Sequence, residues 1–455
     1  MKRSMIVAAG ATVAVFAAGC RGDRADATTY DGPFAAEVRE AIPKIERAAG
    51  VPFRRPPRVE ARSSAEVRAF LESRFEEERT RRELEGQVAA YKRFGLLHDT
   101  LDVHGLMLDL LTEQIVGFYD PGTGVLYVVE DGPEALRETV IQHELVHALQ
   151  DQYMSLDSLQ RIEGNNDLVS AVQAAIEGQA VYEQLQAMLG PGDVTTRLPG
   201  GWERVRTSVR QQQTNMPRFS AAPMVIQETL IFPYLSGAEY ARRQKLADTV
   251  PLLRRPLPVS TEQVMHEDLT ADSVDMPTRI ELPPPGTGTV AYQNNLGEFE
   301  TRLVLYEWSR DQAAAIRGAA GWDGDRYMLV DTPQGQGIVW LTVWDGAVDA
   351  AEFYDVVDLA LRKRYHDLRA EDTTPQERRY TGGDRAMRVT ATEVAGRPAV
   401  LYVDMPRGSR TDGVIDLSRV RLTEQPLLEP PAPTSGATSG DGQGAAPAPA
   451  EAPAR

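Results

Sequence analysis

The chain has 455 residues, of which 49 are Lys or Arg and 66 are Asp or Glu, giving a formal charge of −17. With 42% hydrophobic and 25% charged residues it can bury a sizeable core, and its acidic balance argues against general nucleic-acid binding, which needs a basic stripe to neutralise phosphates. The single cysteine, Cys20, excludes an intramolecular disulfide framework and a thiolate metal cluster, so any metal must be held by nitrogen and oxygen.

Lys2 and Arg3 precede an uncharged run from Met5 to Gly19. That run is too short to cross ~30 Å of hydrocarbon comfortably and fits a secretory signal better than a membrane helix. The junction Ala17-Ala18-Gly19-Cys20 resembles the lipobox of bacterial lipoproteins, with Ala17 where that signal usually has leucine. The resemblance implies that residues 1–20 are a signal peptide, that Cys20 carries the lipid, and that the mature protein sits outside the cytoplasm, anchored to the cell envelope. Arg21, rather than aspartate, follows the cysteine, which points to the outer membrane if the cell is Gram-negative.

Residues 21–31 read as a polar tether. Helical patterns then cover Glu37–Ala49, a charge-rich stretch from Ala65 to Phe94, and Leu101–Gln114. Two strands, Ile115–Tyr119 and Val125–Val129, flank the turn Asp120-Pro121-Gly122-Thr123-Gly124. Pro133 opens a helix running to about Met154, a second long helix spans Asp167–Leu189, and further helical patterns lie at 201–215 and 222–246. The proline-punctuated run Pro251–Pro258 reads as a boundary, closing a first domain over 32–250. Beyond it, 260–424 mixes strands (Tyr327–Asp331, Gly337–Trp344, Arg388–Glu393, Ala399–Asp404) with helices (Gln312–Ala320, Ala350–Tyr365), as in a smaller α+β module; Val290–Leu305 is ambiguous. The Pro, Ala, Gly and Ser composition of 425–455 predicts a disordered tail. The fold class expected is α+β, mainly helical in its first domain.

The informative segment is His143-Glu144-Leu145-Val146-His147. Residues four apart share one helix face, so both imidazoles can point at one ion, and neutral imidazole nitrogens suit Zn²⁺. Glu144 lies ~100° further round the helix, placed to reach a water on the open side of that ion rather than to ligate it. Six histidines in 455 positions make about 0.08 pairs expected at any one spacing, and the requirement for Glu after the first lowers that further. A surface helix with two solvated histidines is the bland reading; against it, Ile141, Leu145, Ala148 and Leu149 form one apolar stripe while Val140, His143, His147 and Asp151 form another. A third ligand is needed. The residues after His147 supply no third histidine, and Glu177, inside the next long helix with Ala174, Ala180 and Val181 on its face, is the favoured donor. Glu163, Asp167 and Glu183 are rivals. Gly178 costs about 1 kcal/mol in a helix interior, tolerable where close packing demands it. Asp151 either orients a ligand imidazole or is a surface carboxylate. Tyr234 either packs in the core, the heavier reading, or donates a hydrogen bond to an oxyanion. His98, His104, His266 and His366 have no partner spacing.

The constellation His143-Glu144-x-x-His147 with Glu177 on a later helix resembles the gluzincin zinc peptidases, and His143 to Asp151 (HELVHALQD) is similar to the thermolysin-like signature. It also resembles bacterial predicted extracytoplasmic metallopeptidases carrying HEL-x-HALQDQ, as do Phe118-Tyr119-Asp120-Pro121, Phe232-Pro233-Tyr234, Ser260-Thr261-Glu262-Gln263 and Gly321 to Tyr327. These resemblances imply a zincin-like catalytic domain, one Zn²⁺ per chain bound by His143, His147 and Glu177, and hydrolysis of peptide bonds with Glu144 as general base. The substrate implied is a peptide or protein, its main chain read by the strand preceding the zinc helix. Two other readings stay open: a lipid-anchored envelope binding protein whose zinc site is structural or vestigial, and a zinc hydrolase acting on something other than peptides.

Overall fold

The computed structural model describes residues 30–433 except 115, 191, 198–199, 215, 267–274 and 372. Cys20, the expected signal peptide, most of the tether and the tail from 434 onward lie outside the described residues.

The first half runs α1 (Ala35–Ala49), β1 (Arg58–Arg62), α2 (Ser64–Glu76), α3 (Glu78–Phe94), α4 (Val103–Gln114), β2 (Gly117–Asp120), β3 (Val125–Val129), α5 (Glu134–Gln150), α6 (Leu156–Leu159), α7 (Asn166–Leu189), α8 (Gly201–Thr214), α9 (Pro217–Ala221) and α10 (Met224–Ala247). The second half runs α11 (Thr261–Met265), β4 (Thr278–Glu281), β5 (Thr289–Asn294), α12 (Gly297–Ser309), α13 (Gln312–Ala319), β6 (Trp322–Thr332), β7 (Gly335–Trp344), α14 (Ala347–Arg364), β8 (Arg369–Glu371), β9 (Glu377–Gly382), β10 (Arg385–Val394), β11 (Arg397–Pro406) and β12 (Arg421–Glu424). The architecture is mixed α+β, with helices dominating the first half, as the sequence predicts.

Among the described residues three sheets organise it. A small sheet has the order β1-β3-β2, with β1 parallel and β2 antiparallel to β3, so β2 is an edge. The large sheet has the antiparallel order β5-β6-β7-β11-β10-β9-β8, and β12 pairs with β4. The apolar stripe of α5 (Ile141, Leu145, Leu149) packs with Val38, Ile42 and Ile45 of α1, Leu126 and Val128 of β3, and Val172 of α7. A larger apolar cluster crosses the 250/260 boundary: Tyr91 and Phe94 of α3 and Phe232 of α10 share it with Phe299, Trp308 and Trp340. The other face of the large sheet is covered separately, around Ile280, Val339, Leu401 and Val414.

Several expectations need correction. The helix expected over 65–94 is two helices, because Glu77 turns out of the helical region (φ −56°, ψ 124°) between them. The helix expected to run from Pro133 to about Met154, α5, stops at Gln150. The ambiguous stretch 290–305 resolves into β5 and α12, joined through Gly297 at φ 72°, where a Cβ would stand 1.9 Å from Asp167 Oδ1. β1 was not foreseen. The tail does not begin at 425: Gln425 N donates to Pro277 O (2.8 Å), Leu428 O accepts from Leu257 N (2.8 Å), and Pro431 O accepts from Ser155 N (2.9 Å). Proline-rich chain lacks donors, but its carbonyls still accept, and Leu428 packs against the core beside α5.

Candidate metal centre

His143 and His147 project from α5 on the side opposite its apolar stripe, with side chains 15% and 9% exposed. What faces them is α7, and the approach of that helix is set by glycine. A Cβ on Gly178 would meet the Gly237 carbonyl carbon at 2.0 Å, and one on Gly237 would meet the Ala174 carbonyl oxygen at 2.0 Å. Here α7 and α10 touch backbone to backbone. This contact brings Glu177 of α7 and Tyr234 of α10 to the same place.

The result is a triangle. His143 Nε2 to Glu177 Oε2, His147 Nε2 to Glu177 Oε2, and His143 Nε2 to His147 Nε2 are each 3.3 Å. The centre of a tetrahedron lies about 0.61 of an edge from each corner, so this triangle puts an ion about 2.0 Å from all three donors, the distance Zn²⁺ takes to nitrogen and carboxylate oxygen. Among the described residues no fourth His, Cys, Asp or Glu joins the trio, so a fourth position is left for water or substrate. The donor set fits zinc.

The electrostatics agree with a cation site. Burial opposes charge on both His147 and Glu177, yet each outweighs it for the other: the imidazole is pushed up to about 9 and the carboxyl held well below its usual range. Glu144 stands apart from the trio. Burial raises its carboxyl, the two imidazoles oppose the rise, and its Oε2 accepts a 2.8 Å hydrogen bond from Tyr119 N on the edge strand β2. That bond aims the carboxylate.

Tyr234 is a site residue rather than a core one. Its ring lies 6.3 Å from that of His143, and its hydroxyl is held protonated well above its usual range by Glu177, by burial and by Glu144. His143, Glu144 and Tyr234 line one side of a cavity of about 640 Å³, whose other walls include Val140, Leu185, Val205 and Val209.

Sequence reasoning missed the residue that orients a ligand. Gln150, fully buried, places Oε1 2.8 Å from His147 Nδ1, while its Nε2 donates to Ile176 O (2.9 Å) and Gln179 Oε1 (3.1 Å). His147 therefore donates from Nδ1, which leaves the Nε2 lone pair toward His143 and Glu177. Asp151 is occupied elsewhere, accepting from Tyr119 Oη (2.8 Å) and Leu156 N (3.1 Å). The rival ligands are also accounted for. Glu163 meets Arg79 at 3.4 Å, Asp167 accepts from Thr261 N at 2.8 Å, and Glu183 accepts from Gln179 Nε2 at 2.9 Å. His266, for which no partner spacing was seen, lies with Glu262 and Glu298.

Residues 288–414 match the family described as a domain of unknown function (DUF8575). The matched span contains all seven strands of the large sheet with α12–α14, and lies outside the metal centre. No curated protein and no solved structure matches the chain.

Proposed function

We propose that the chain is a zinc-dependent peptidase of the cell envelope, held there by a lipid on Cys20. One observation carries the enzymatic part: three donors of the right chemistry, 3.3 Å apart, with an aimed carboxylate beside them and a fourth position left over. The anchoring part rests on the amino-terminal sequence; among the described residues no helix is long and apolar enough to cross a membrane.

When bound, zinc supplies Lewis acidity toward a carbonyl and makes a water more acidic. The remaining chemistry belongs to this chain's side chains. His143, His147 and Glu177 hold the metal, and Gln150 fixes the tautomer of His147. Glu144 takes a proton from the water attacking the scissile carbonyl carbon and gives it to the amine nitrogen as the C–N bond breaks. The Tyr234 hydroxyl donates to the carbonyl oxygen as negative charge develops there. The free edge of β2 offers main-chain pairing to an extended peptide, and the apolar wall of the cavity suits an aliphatic side chain.

Glu144→Gln tests this reading. The variant should keep about one zinc per chain while peptide hydrolysis falls by roughly 10²–10⁴-fold. Hydrolysis at the wild-type rate would remove Glu144 from the chemistry. Loss of labelling by a fatty-acid analogue in Cys20→Ser tests the anchor, and unchanged labelling overturns it.

A further inference from the structure

We propose that Glu262, Asp275 and Asp345 form a second metal site, for a hard divalent cation of the calcium type, on the seam between α11 and the link from β7 to α14. Glu262 lies on α11, Asp275 shortly before β4, and Asp345 directly after β7. One carboxylate oxygen from each lies within 4.8 Å of the other two. Three donors 4.8 Å apart surround a point about 2.8 Å from each, so closing by a few tenths of an ångström brings all three to the 2.3–2.6 Å that Ca²⁺ takes. An all-oxygen donor set selects Ca²⁺ or Mg²⁺ over zinc, and three carboxylates from separate segments suit the flexible coordination of Ca²⁺ better than the strict octahedron of Mg²⁺.

Acidic residues often cluster without a ligand; the second observation concerns Glu262 itself. It is only 7% exposed, and among the described residues its carboxylate has no hydrogen bond or ion pair. An uncompensated charge at such depth is expensive. Burial, then Glu298, Asp275, Asp345 and Asp167, push its carboxyl up to about 10. Asp345 is pushed up to about 6 by burial and by Asp275, Asp323 and Asp349, with Arg397 opposing. Nearby arginines are already engaged: Arg397 bonds Asp323 at 2.5 Å, Arg302 pairs with Glu298, and Arg243 donates to the carbonyls of Val264 and His266. A doubly charged ion supplies the compensation they do not.

Glu262 also faces His266 and Glu298, a trio that offers one imidazole. That side is closed, because Glu298 is held by Arg302 and by His266 at 2.8 Å. On the other side Asp345 is exposed, giving an ion a way in from solvent. An ion there would tie α11 to the large sheet. Since Thr261 of α11 bonds Asp167 at the start of α7, the seam would stiffen beside the helix that carries Glu177.

The test is thermal unfolding of the full chain, stripped with chelator and then given zinc alone, zinc with Ca²⁺, or zinc with Mg²⁺. Millimolar Ca²⁺ should raise the wild-type midpoint by roughly 3–8 °C, and Mg²⁺ by less. Asp345→Asn, at an exposed position, should fold and lose the rise. Glu262→Gln should be at least as stable as wild type without Ca²⁺ and gain nothing from it. No Ca²⁺-dependent rise in wild type, or the same rise in both variants, overturns the proposal. Because nothing here reads hydrolysis, the outcome is independent of the peptidase reading.

Discussion

Gln150 Oε1 lies 2.8 Å from His147 Nδ1, and this contact decides which nitrogen of His147 faces the trio. Gln150→Leu keeps the volume roughly constant and removes the acceptor. Zinc affinity should fall about 10–100-fold, read by competition with a chromogenic chelator. An unchanged affinity would mean that packing alone orients the ring.

The backbone contact of α7 with α10 sets the position of Glu177. Gly178→Ala places a methyl group where the Gly237 carbonyl carbon is 2.0 Å away, so a helix must shift. Denaturant unfolding should register a loss of about 1–3 kcal/mol, accompanied by weaker zinc binding. A variant as stable as wild type would show that the helices can separate without cost.

Tyr234 lies beside His143 and lines the cavity, so its two possible roles differ in what they move. As an oxyanion donor, Tyr234→Phe should lower kcat about 10²–10³-fold with zinc affinity unchanged. If zinc affinity drops and kcat of the zinc-loaded variant does not, the hydroxyl serves to position Glu177 instead.

The junction of α7, α12 and β6 holds acids that resist ionisation. Burial first, then neighbouring carboxylates, raise Asp167 to about 7 and Glu300 to about 8; burial raises Asp325 to about 6 despite its bonds from Leu296 N, Gly297 N and two tryptophans. Each binds its proton more tightly folded than unfolded. Their stabilising contribution is therefore complete below about pH 4 and is lost as pH rises through 6 to 8. Zinc-free protein should resist urea better at pH 5.5 than at pH 8.5, with a shallower slope in Glu300→Gln. Equal slopes for the two proteins would exclude Glu300 as a contributor.

The part of the site lying within a few helical turns was legible in sequence; the parts assembled from far apart were not. His143 and His147 are fixed by the helical period, and Glu177 by its place in the next long helix beside Gly178. Choosing Gln150 over Asp151 required knowing where Ile176 and Gln179 of α7 sit, since those atoms hold the Gln150 amide. Tyr234 arrives through the Gly178–Gly237 contact, which no local pattern encodes. Glu262 and Asp345 meet across more than eighty residues, through a sheet whose strand order was not readable from alternation. In the fold, the break at Glu77 carries no glycine or proline to announce it, and residues 425–431 are held by backbone hydrogen bonds that composition does not reveal.

Metal content is the most direct measure of the central claim. Purified wild-type chain, dialysed against zinc-free buffer and read by mass spectrometry, should hold one zinc, and Glu177→Ala treated identically should hold little or none. A wild-type chain that takes up no zinc, or a Glu177→Ala chain that retains it at full stoichiometry, would contradict a centre built from His143, His147 and Glu177.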